Sequence, residues 1–355
     1  MKTLRDIELK EKKVILRAGF DLLLEDGEIV DDARIKAGLK TIEYIKKQKP
    51  GFFLIVNHMG RPEGERVPEL SNRIVAERLQ ELTSTAIEVI DTVEELQKFV
   101  LDGLYEKKKI YMLENLRFWK EEKQADVTFG KNIGELFDIY VNDAFSVSHR
   151  AHASFVCIPE YTKDKCMGLL FEEEFFNLSK VKNDPEHPAV MVIGGAKIAT
   201  KLPVIENMMR IYDHVLVGGM IANEALDERL DLGEKVLLPT DFNPKEKEDE
   251  RLDIGKDTIA AYTEVINNAK TIVWNGPLGK FEDEEAEEGT KSICRAIAAR
   301  EDALQVIGGG ETLEAVSQFS EFSHFDYVSM SGGAMLEYLS GKTLPGIEVL
   351  EDRKE

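Results

Sequence analysis

Two lysines one helical turn apart, behind a pair of glycines, are the first residues in this chain that could do chemistry. Lys197 and Lys201 follow the apolar run Ala189–Ile193 and the turn Gly194-Gly195, at the opening of a segment that continues through residues 202–209. A buried strand that ends in glycines and opens a helix leaves backbone N–H groups unpaired at the positive helix end, where a phosphate can bind. Lysines at i and i+4 share one face of that helix and add two cations. The same turn also fits a plain strand-to-helix connection with solvated lysines, so the motif must be weighed with its neighbours.

A second set of cations lies in the first half. Four apolar runs read as strands, at residues 13–16, 52–57, 110–113 and 139–141. The first runs into Arg17, the second into His58-Met59-Gly60-Arg61-Pro62, and the third into Glu114-Asn115-Leu116-Arg117-Phe118. The fourth runs into Asn142-Asp143-Ala144-Phe145 and then His149-Arg150-Ala151-His152, while Arg34 follows the turn at 27–32. One arginine at a strand end usually makes a surface ion pair. Four consecutive strands that end this way point to a small, multiply charged anion gripped by guanidinium forks. The histidines at 58, 149 and 152 fit that site or a hydrogen-bonded core equally well.

The second half repeats strand-then-glycine: Gly194-Gly195, Gly218-Gly219, Trp274-Asn275-Gly276-Pro277, Gly308-Gly309-Gly310-Glu311-Thr312 and Ser331-Gly332-Gly333. Glycines at successive strand ends let backbone approach a ligand closely, which suits a polyphosphate.

The elements that must position these residues follow from the alternation of short apolar runs with helical-period stretches. That pattern predicts an α/β chain with mostly parallel sheets, whose ligands sit outside the carboxyl ends of the strands. The 355 residues suffice for two domains, and the helical pattern between Cys166 and Asn183 reads as a connector able to transmit a hinge rotation. A formal net charge of −21 argues against nucleic-acid and anionic-membrane partners. The three cysteines are widely spaced without a C-x-x-C, so a reducing cytoplasm is expected, with neither disulfides nor zinc. The first residues lack the apolar core of a signal peptide, and no run is long enough to span a membrane. The acidic runs at 245–251 and 282–288 read as solvated. Ser340-Gly341-Lys342-Thr343 has the tail of a P-loop, but its first glycine would have to stand at Leu336. No G-x-G-x-x-G follows a strand.

The succession HMGRP, ENLRF, VNDAF with HRAHAS, GGAK with Lys201, WNGPLGKFE, GGGET and SGGAMLEYLSGKTLPGIE closely resembles the phosphoglycerate kinase family, across nearly the whole chain. The resemblance implies two doubly wound parallel-sheet domains joined by a helical hinge. The first would be a phosphoglycerate-binding domain (1–166, with a returning C-terminal segment, 338–355), followed by a connecting helix (167–183) and a nucleotide-binding domain (184–337). It implies that Arg17, Gly19, Asp21, Arg34, His58, Arg61, Arg117 and Arg150 line the site for 3-phosphoglycerate. Lys197, Lys201, Asn275, Glu282, Gly308, Gly309, Gly310, Glu311 and Thr312 would hold ATP or ADP, with Glu311 on Mg²⁺. Arg34 and Lys197 would act on the phosphoryl group in flight as the hinge closes. A cytoplasmic monomer acting on small molecules is expected.

The chain also departs from the family. The family reads R-x-D-x-N-x-P at the first strand end; here Gly19, Asp21 and Leu23 replace the aspartate, asparagine and proline. An added carboxylate about 5 Å from an anionic substrate would cost roughly 3 kcal/mol at an effective dielectric near 20, on the order of a hundredfold in affinity. Glu311 stands where the family has aspartate, Arg251 where it has glycine, and the stretch 227–235 is shorter than usual. Met330 and Ser331 replace threonine and glycine in the last glycine turn. These departures leave two alternatives beside an active kinase: a catalytically impaired ligand-binding or regulatory protein, and an α/β kinase for a different phosphorylated acid.

Overall fold

The computed structural model describes residues 1–25, 27–244 and 251–351. The chain forms two compact units, Met1–Phe175 with Thr343–Glu355, and Phe176–Lys342.

In the first unit the strands are β1 (Lys13–Arg17), β2 (Leu24–Glu25), β3 (Glu28–Ile29), β4 (Phe52–Val56), β5 (Ile87–Ile90), β6 (Ile110–Leu113), β7 (Ile139–Asn142) and β8 (Asp164–Met167). Six of them form one parallel sheet in the order β5-β6-β4-β1-β7-β8, and β2-β3 is a separate hairpin. The central strands are buried on both faces, which is why they read as unbroken apolar runs. Sequence patterning leaves β5 and β8 unmarked. Ile87–Ile90 is an edge strand with only Ile90 buried, so it lacks the continuous run that betrays the others.

The second unit holds β9 (Ala189–Ile193), β10 (His214–Val217), β11 (Val236–Leu237), β12 (Phe242–Asn243), β13 (Asp253–Ile254), β14 (Thr271–Asn275), β15 (Leu304–Gly308) and β16 (Tyr327–Ser329). Its main sheet runs β11-β10-β9-β14-β15-β16, all parallel, with β12-β13 a small antiparallel pair. In chain order that is 3-2-1-4-5-6, the doubly wound arrangement, whose direction of winding reverses between β9 and β14. In the first sheet the reversal falls between β1 and β7. A crevice opens where the winding reverses, and these strand pairs end at Ile193 beside Asn275 and at Arg17 beside Asn142. The predicted functional motifs therefore begin at both reversal points.

The boundary between the units falls inside the helix Leu169–Asn183. The start of that helix is fixed in the first unit: Asp143 Oδ1 accepts from the backbone N–H of Leu170 (2.9 Å) and Phe171 (3.2 Å). Burial pushes the Asp143 carboxyl up to about 7. Gly168 is required here because a Cβ would lie 2.2 Å from Asp143 Oδ1.

The return to the first unit begins at Thr343, not at 338. The helix Gly332–Leu339 belongs to the second unit, where the Tyr338 hydroxyl bonds Ser179 at 2.7 Å and the Leu339 carbonyl accepts from Asn207 Nδ2 at 2.7 Å. The returning segment buries Leu344, Ile347 and Leu350 and exchanges backbone bonds through Gly346 with Ser148 and the Asn142 side chain. All three cysteines are buried free thiols. Among the described residues no helix is long and apolar enough to cross a membrane. Most of the acidic run at 245–251 lies outside the described residues; the run at 282–288 leads into the helix Glu288–Ala298.

Because each unit carries one of the two tryptophans, Trp119 and Trp274, their stabilities can be read separately. Truncation after Lys342 removes three buried aliphatic side chains, a loss on the order of 5 kcal/mol. Denaturant unfolding in single-tryptophan backgrounds should show a large fall in the Trp119 midpoint and little change at Trp274.

Candidate functional site

In the first unit, asparagines near the strand ends set the loops. Asn57 Oδ1 accepts from the Phe20 N–H at 2.8 Å and its Nδ2 donates to the Phe20 carbonyl at 3.1 Å, tying the loop after β1 to the end of β4. Asn115 Oδ1 accepts from Met59 N–H (3.1 Å) and Arg117 N–H (3.0 Å), and its Nδ2 donates to the Met59 and Leu70 carbonyls. One side chain thus fixes both the His58–Arg61 loop and the Arg117 turn. Asn142 does the same after β7, accepting from Ala144 N–H and donating to Ser148 Oγ.

These clamps bring Arg61, Arg117 and Arg150 to the wall of one cavity of about 290 Å³, with His152, Lys123 and Glu63. Arg117 is 5% exposed and its buried Nε has no hydrogen-bond partner among the described residues. Burial, and then the neighbouring Arg150, push its guanidinium down to about 10. His152 is pushed down to about 4 by burial, with Arg117, Arg17 and Arg150 adding to the effect, so it is neutral near pH 7. Unsatisfied buried donors among crowded cations are the electrostatic signature of an anion site. A larger cavity, about 470 Å³, lies by the β2-β3 hairpin and is lined by Asp31, Asp32, Glu77 and Glu81 with Lys36 and Arg78; its acidic wall suits no anion.

Arg17 corrects the sequence expectation. It is fully buried and does not reach the cavity: Nε donates to Ser154 Oγ (2.9 Å), one terminal nitrogen donates to the Ala18 carbonyl, and the other lies 2.9 Å from His58 Nδ1. Its guanidinium covers the Phe155 ring at 4.5 Å. Beside it Glu122, also fully buried, accepts from Ser154 N–H at 2.8 Å and Ser154 Oγ–H at 2.6 Å. Sequence reading missed Glu122 and Ser154 because a glutamate in KEEK and a serine in HAS look like surface residues.

Asp21 is less exposed to the anion than its type suggests. Its Oδ1 accepts from the Gly60 N–H at 2.8 Å, its Oδ2 lies 3.6 Å from His58 Nε2, and its carbonyl accepts from Arg34 at 3.2 Å. Arg34 is thereby half-buried at the start of the helix Ala33–Lys47. Gly19 sits against Ala144 and Ser146 with room for a Cβ, so no close approach explains it.

In the second unit the glycine turns crowd together. A Cβ on Gly194 would lie 1.9 Å from the Pro277 carbonyl oxygen, and Gly309 has φ of +105°, open to glycine alone at little cost. Lys201 Nζ donates to Asn275 Oδ1, Asn275 Nδ2 donates to the Gly308 carbonyl (2.6 Å), and Gly276 N–H donates to Thr312 Oγ1 (2.7 Å). Glu311 faces Lys201 across Gly195, since a Cβ there would lie 3.7 Å from Glu311 Oε2 and 3.8 Å from Lys201 Cε. Gly310 opens the helix Gly310–Phe319, placing a positive helix end beside them. A cavity of about 230 Å³ collects Gly195, Gly219, Glu282 and Glu311, with Arg251 on its wall held by Asp227 at 2.9 Å. Lys197 precedes the helix Ile198–Met208, exposed to solvent and off the cavity wall.

Comparison with known proteins gives a consistent result. Residues 4–241 and 231–342 match the family model described as phosphoglycerate kinase. The chain is similar to phosphoglycerate kinase of Hydrogenobaculum sp. (38% identical over 396 residues, 99% of each chain) and of Thermosipho africanus (38% over 402 residues, 99% of this chain and 98% of that one). Among solved structures it is similar to phosphoglycerate kinase from Coxiella burnetii, with TM-score 0.89 at 32% identity over 98% of both chains. The corresponding enzyme from Pyrococcus horikoshii gives TM-score 0.81 at 30% identity over 99% of this chain and 98% of that one. The two matched segments overlap at 231–241, beside the stretch where the sequence is short.

Burial pushes Lys201 down to about 8, with Glu311 acting in the opposite direction. Lys201 is charged below that value and neutral above it, and only the charged form attracts phosphate. Affinity for tripolyphosphate should therefore fall as pH rises through about 8, and K201R should remove the inflection in the same calorimetric titration.

Proposed function

This chain belongs to the phosphoglycerate kinase family, and on that premise we propose that it transfers a phosphoryl group reversibly between ATP and the carboxylate of 3-phosphoglycerate, the step shared by glycolysis and gluconeogenesis. The observation that carries the reading is the pair of chemically different anion sites at the two winding reversals: guanidinium groups in one unit, and glycine turns with Lys201 in the other.

In this reading Arg61, Arg117 and Arg150 grip the phosphate of the acid, and His58 supplies a hydrogen-bond donor beside them. Lys201, Asn275 and residues 308–312 hold the nucleotide phosphates, and Glu282 takes the ribose. Arg34 and Lys197 neutralise the charge that spreads over the phosphoryl oxygens as the acid carboxylate displaces the nucleotide, in line and without a covalent enzyme intermediate. The reaction brings two separately held ligands together, which is the role we assign to motion about the helix Leu169–Asn183.

Magnesium fits the donor set as an ion that arrives with the nucleotide. Among the described residues no three His, Cys, Asp or Glu side chains form a metal cage, and Mg²⁺ characteristically takes one or two carboxylates plus substrate phosphates. Glu311 would be that carboxylate, and the ion would supply charge neutralisation at the phosphates. The expected setting is cytoplasmic and monomeric, with small-molecule partners only.

A coupled assay with ATP, magnesium and 3-phosphoglycerate tests the proposal. Turnover is expected, with kcat lowered about a hundredfold or more in K197A and R34A, as for the loss of a group that stabilises transition-state charge. The D21N variant should lower KM for the acid about tenfold, a partial relief because Asp21 already binds the Gly60 N–H. Nucleotide binding without turnover would instead favour the impaired binder.

A further inference from the structure

The buried groups behind the arginine cavity form a directed chain of hydrogen bonds. Its first link is Glu122, whose Oε1 and Oε2 take both the hydroxyl and the backbone N–H of Ser154. With its proton committed to Glu122, Ser154 Oγ presents a lone pair, and Arg17 Nε–H donates to it at 2.9 Å. The next link is Arg17 to His58 Nδ1 at 2.9 Å. Arginine has no acceptor, so it must donate, and Nδ1 must carry the lone pair.

A neutral His58 then has its proton on Nε2. Neutrality follows from the surroundings: the ring is 1% exposed, and burial together with Arg17, Arg117, Arg150 and His152 holds the imidazole well below its ordinary range. Among the described residues the Asp21 carboxylate lies beside Nε2 at 3.6 Å, beyond hydrogen-bond distance. His58 Nε2 is thus a buried donor without a hydrogen-bond partner among the described residues, oriented from behind.

We propose that Glu122, Ser154 and Arg17 are positioning residues that lock His58 in its Nε2–H tautomer, so that a fixed, uncharged donor stands behind the arginine cavity proposed to take the anionic acid substrate. The inference rests on the reading of this site as the 3-phosphoglycerate site, and it gives Arg17 a role in orientation in place of direct contact. The chain also explains why a glutamate is tolerated in the core. Glu122 supplies the counter-charge for Arg17, and its two oxygens define the direction in which every later donor points.

The test reads the tautomer directly, without turnover. Nitrogen NMR of ¹⁵N-histidine-labelled full-length protein, with the His58 signals assigned by their loss in H58Q, should show Nδ1 unprotonated and Nε2 protonated near pH 7. A protonated Nδ1 in the unmodified protein, in either the neutral or the cationic ring, overturns the proposal. The double variant R17M/E122Q removes both buried charges together, and S154A cuts the chain with little change of volume. Each should give a mixture of tautomers. Each should also weaken 3-phosphoglycerate binding about tenfold or more in calorimetry while leaving ATP binding unchanged. A tautomer that stays fixed in a folded S154A, or one that shifts without weakening the acid, contradicts the proposed role. Absence of kinase turnover would count against the proposed activity alone, since both readouts here are made without it.

Discussion

Mutual repulsion among guanidinium groups is the constraint under which the first unit is built. Arg61, Arg117 and Arg150 share the wall of one cavity and Arg17 is buried behind it; burial strips screening water from Arg117 and Arg17, while Arg150 is half-buried and Arg61 exposed. Such a cluster persists only if its members are tied down and partly neutralised. Glu122 supplies the buried counter-charge, and the strand-end asparagines hold the loops so that the arginines cannot relax apart. Burial first, and then repulsion from Arg150, push the Arg117 guanidinium down to about 10. In the proposed reading a small anion offsets the repulsion among these guanidinium groups, which favours its binding.

The second unit meets the same electrostatic need by different means. Three or more phosphates cannot be matched by guanidinium forks alone without excessive repulsion when the nucleotide leaves. In the proposed reading backbone N–H groups do most of the binding, which requires glycines that allow chain to pass within touching distance of chain, as at Gly194 against Pro277. Lys201 reaches into the glycine turns through Asn275, and burial there drops its pKa to about 8, near the point where it can shed its charge. Lys197 stays exposed, as the proposed mechanism requires of a group that follows moving charge.

Much of this was legible in the sequence, and what was not has a common cause. Runs such as Ala189–Ile193 and Ile110–Leu113 announce buried parallel strands, and the residues that follow them are the candidates for chemistry because ligands gather at strand ends. Residue type and spacing do not say which way a side chain turns as it leaves the sheet. Arg17 was therefore expected to touch the ligand, whereas it turns inward to Ser154 and His58. Glu122 was invisible for the converse reason: nothing local distinguishes a buried glutamate from the charged neighbours around it. Asp21 shows the same limit in energetic form, since its cost to an anion depends on the Gly60 N–H that it accepts, a contact across 39 positions of chain.

The central claim is that the two units hold two independent anion sites, one for the acid and one for the nucleotide. Calorimetric titration of the intact chain with 3-phosphoglycerate and with ATP and magnesium, each alone, tests it most directly when repeated on R117A and K201A. The account predicts that R117A loses the acid and keeps the nucleotide within about twofold, with K201A showing the reverse, as expected for uncoupled sites. Loss of both ligands in either variant, or retention of both, would contradict it.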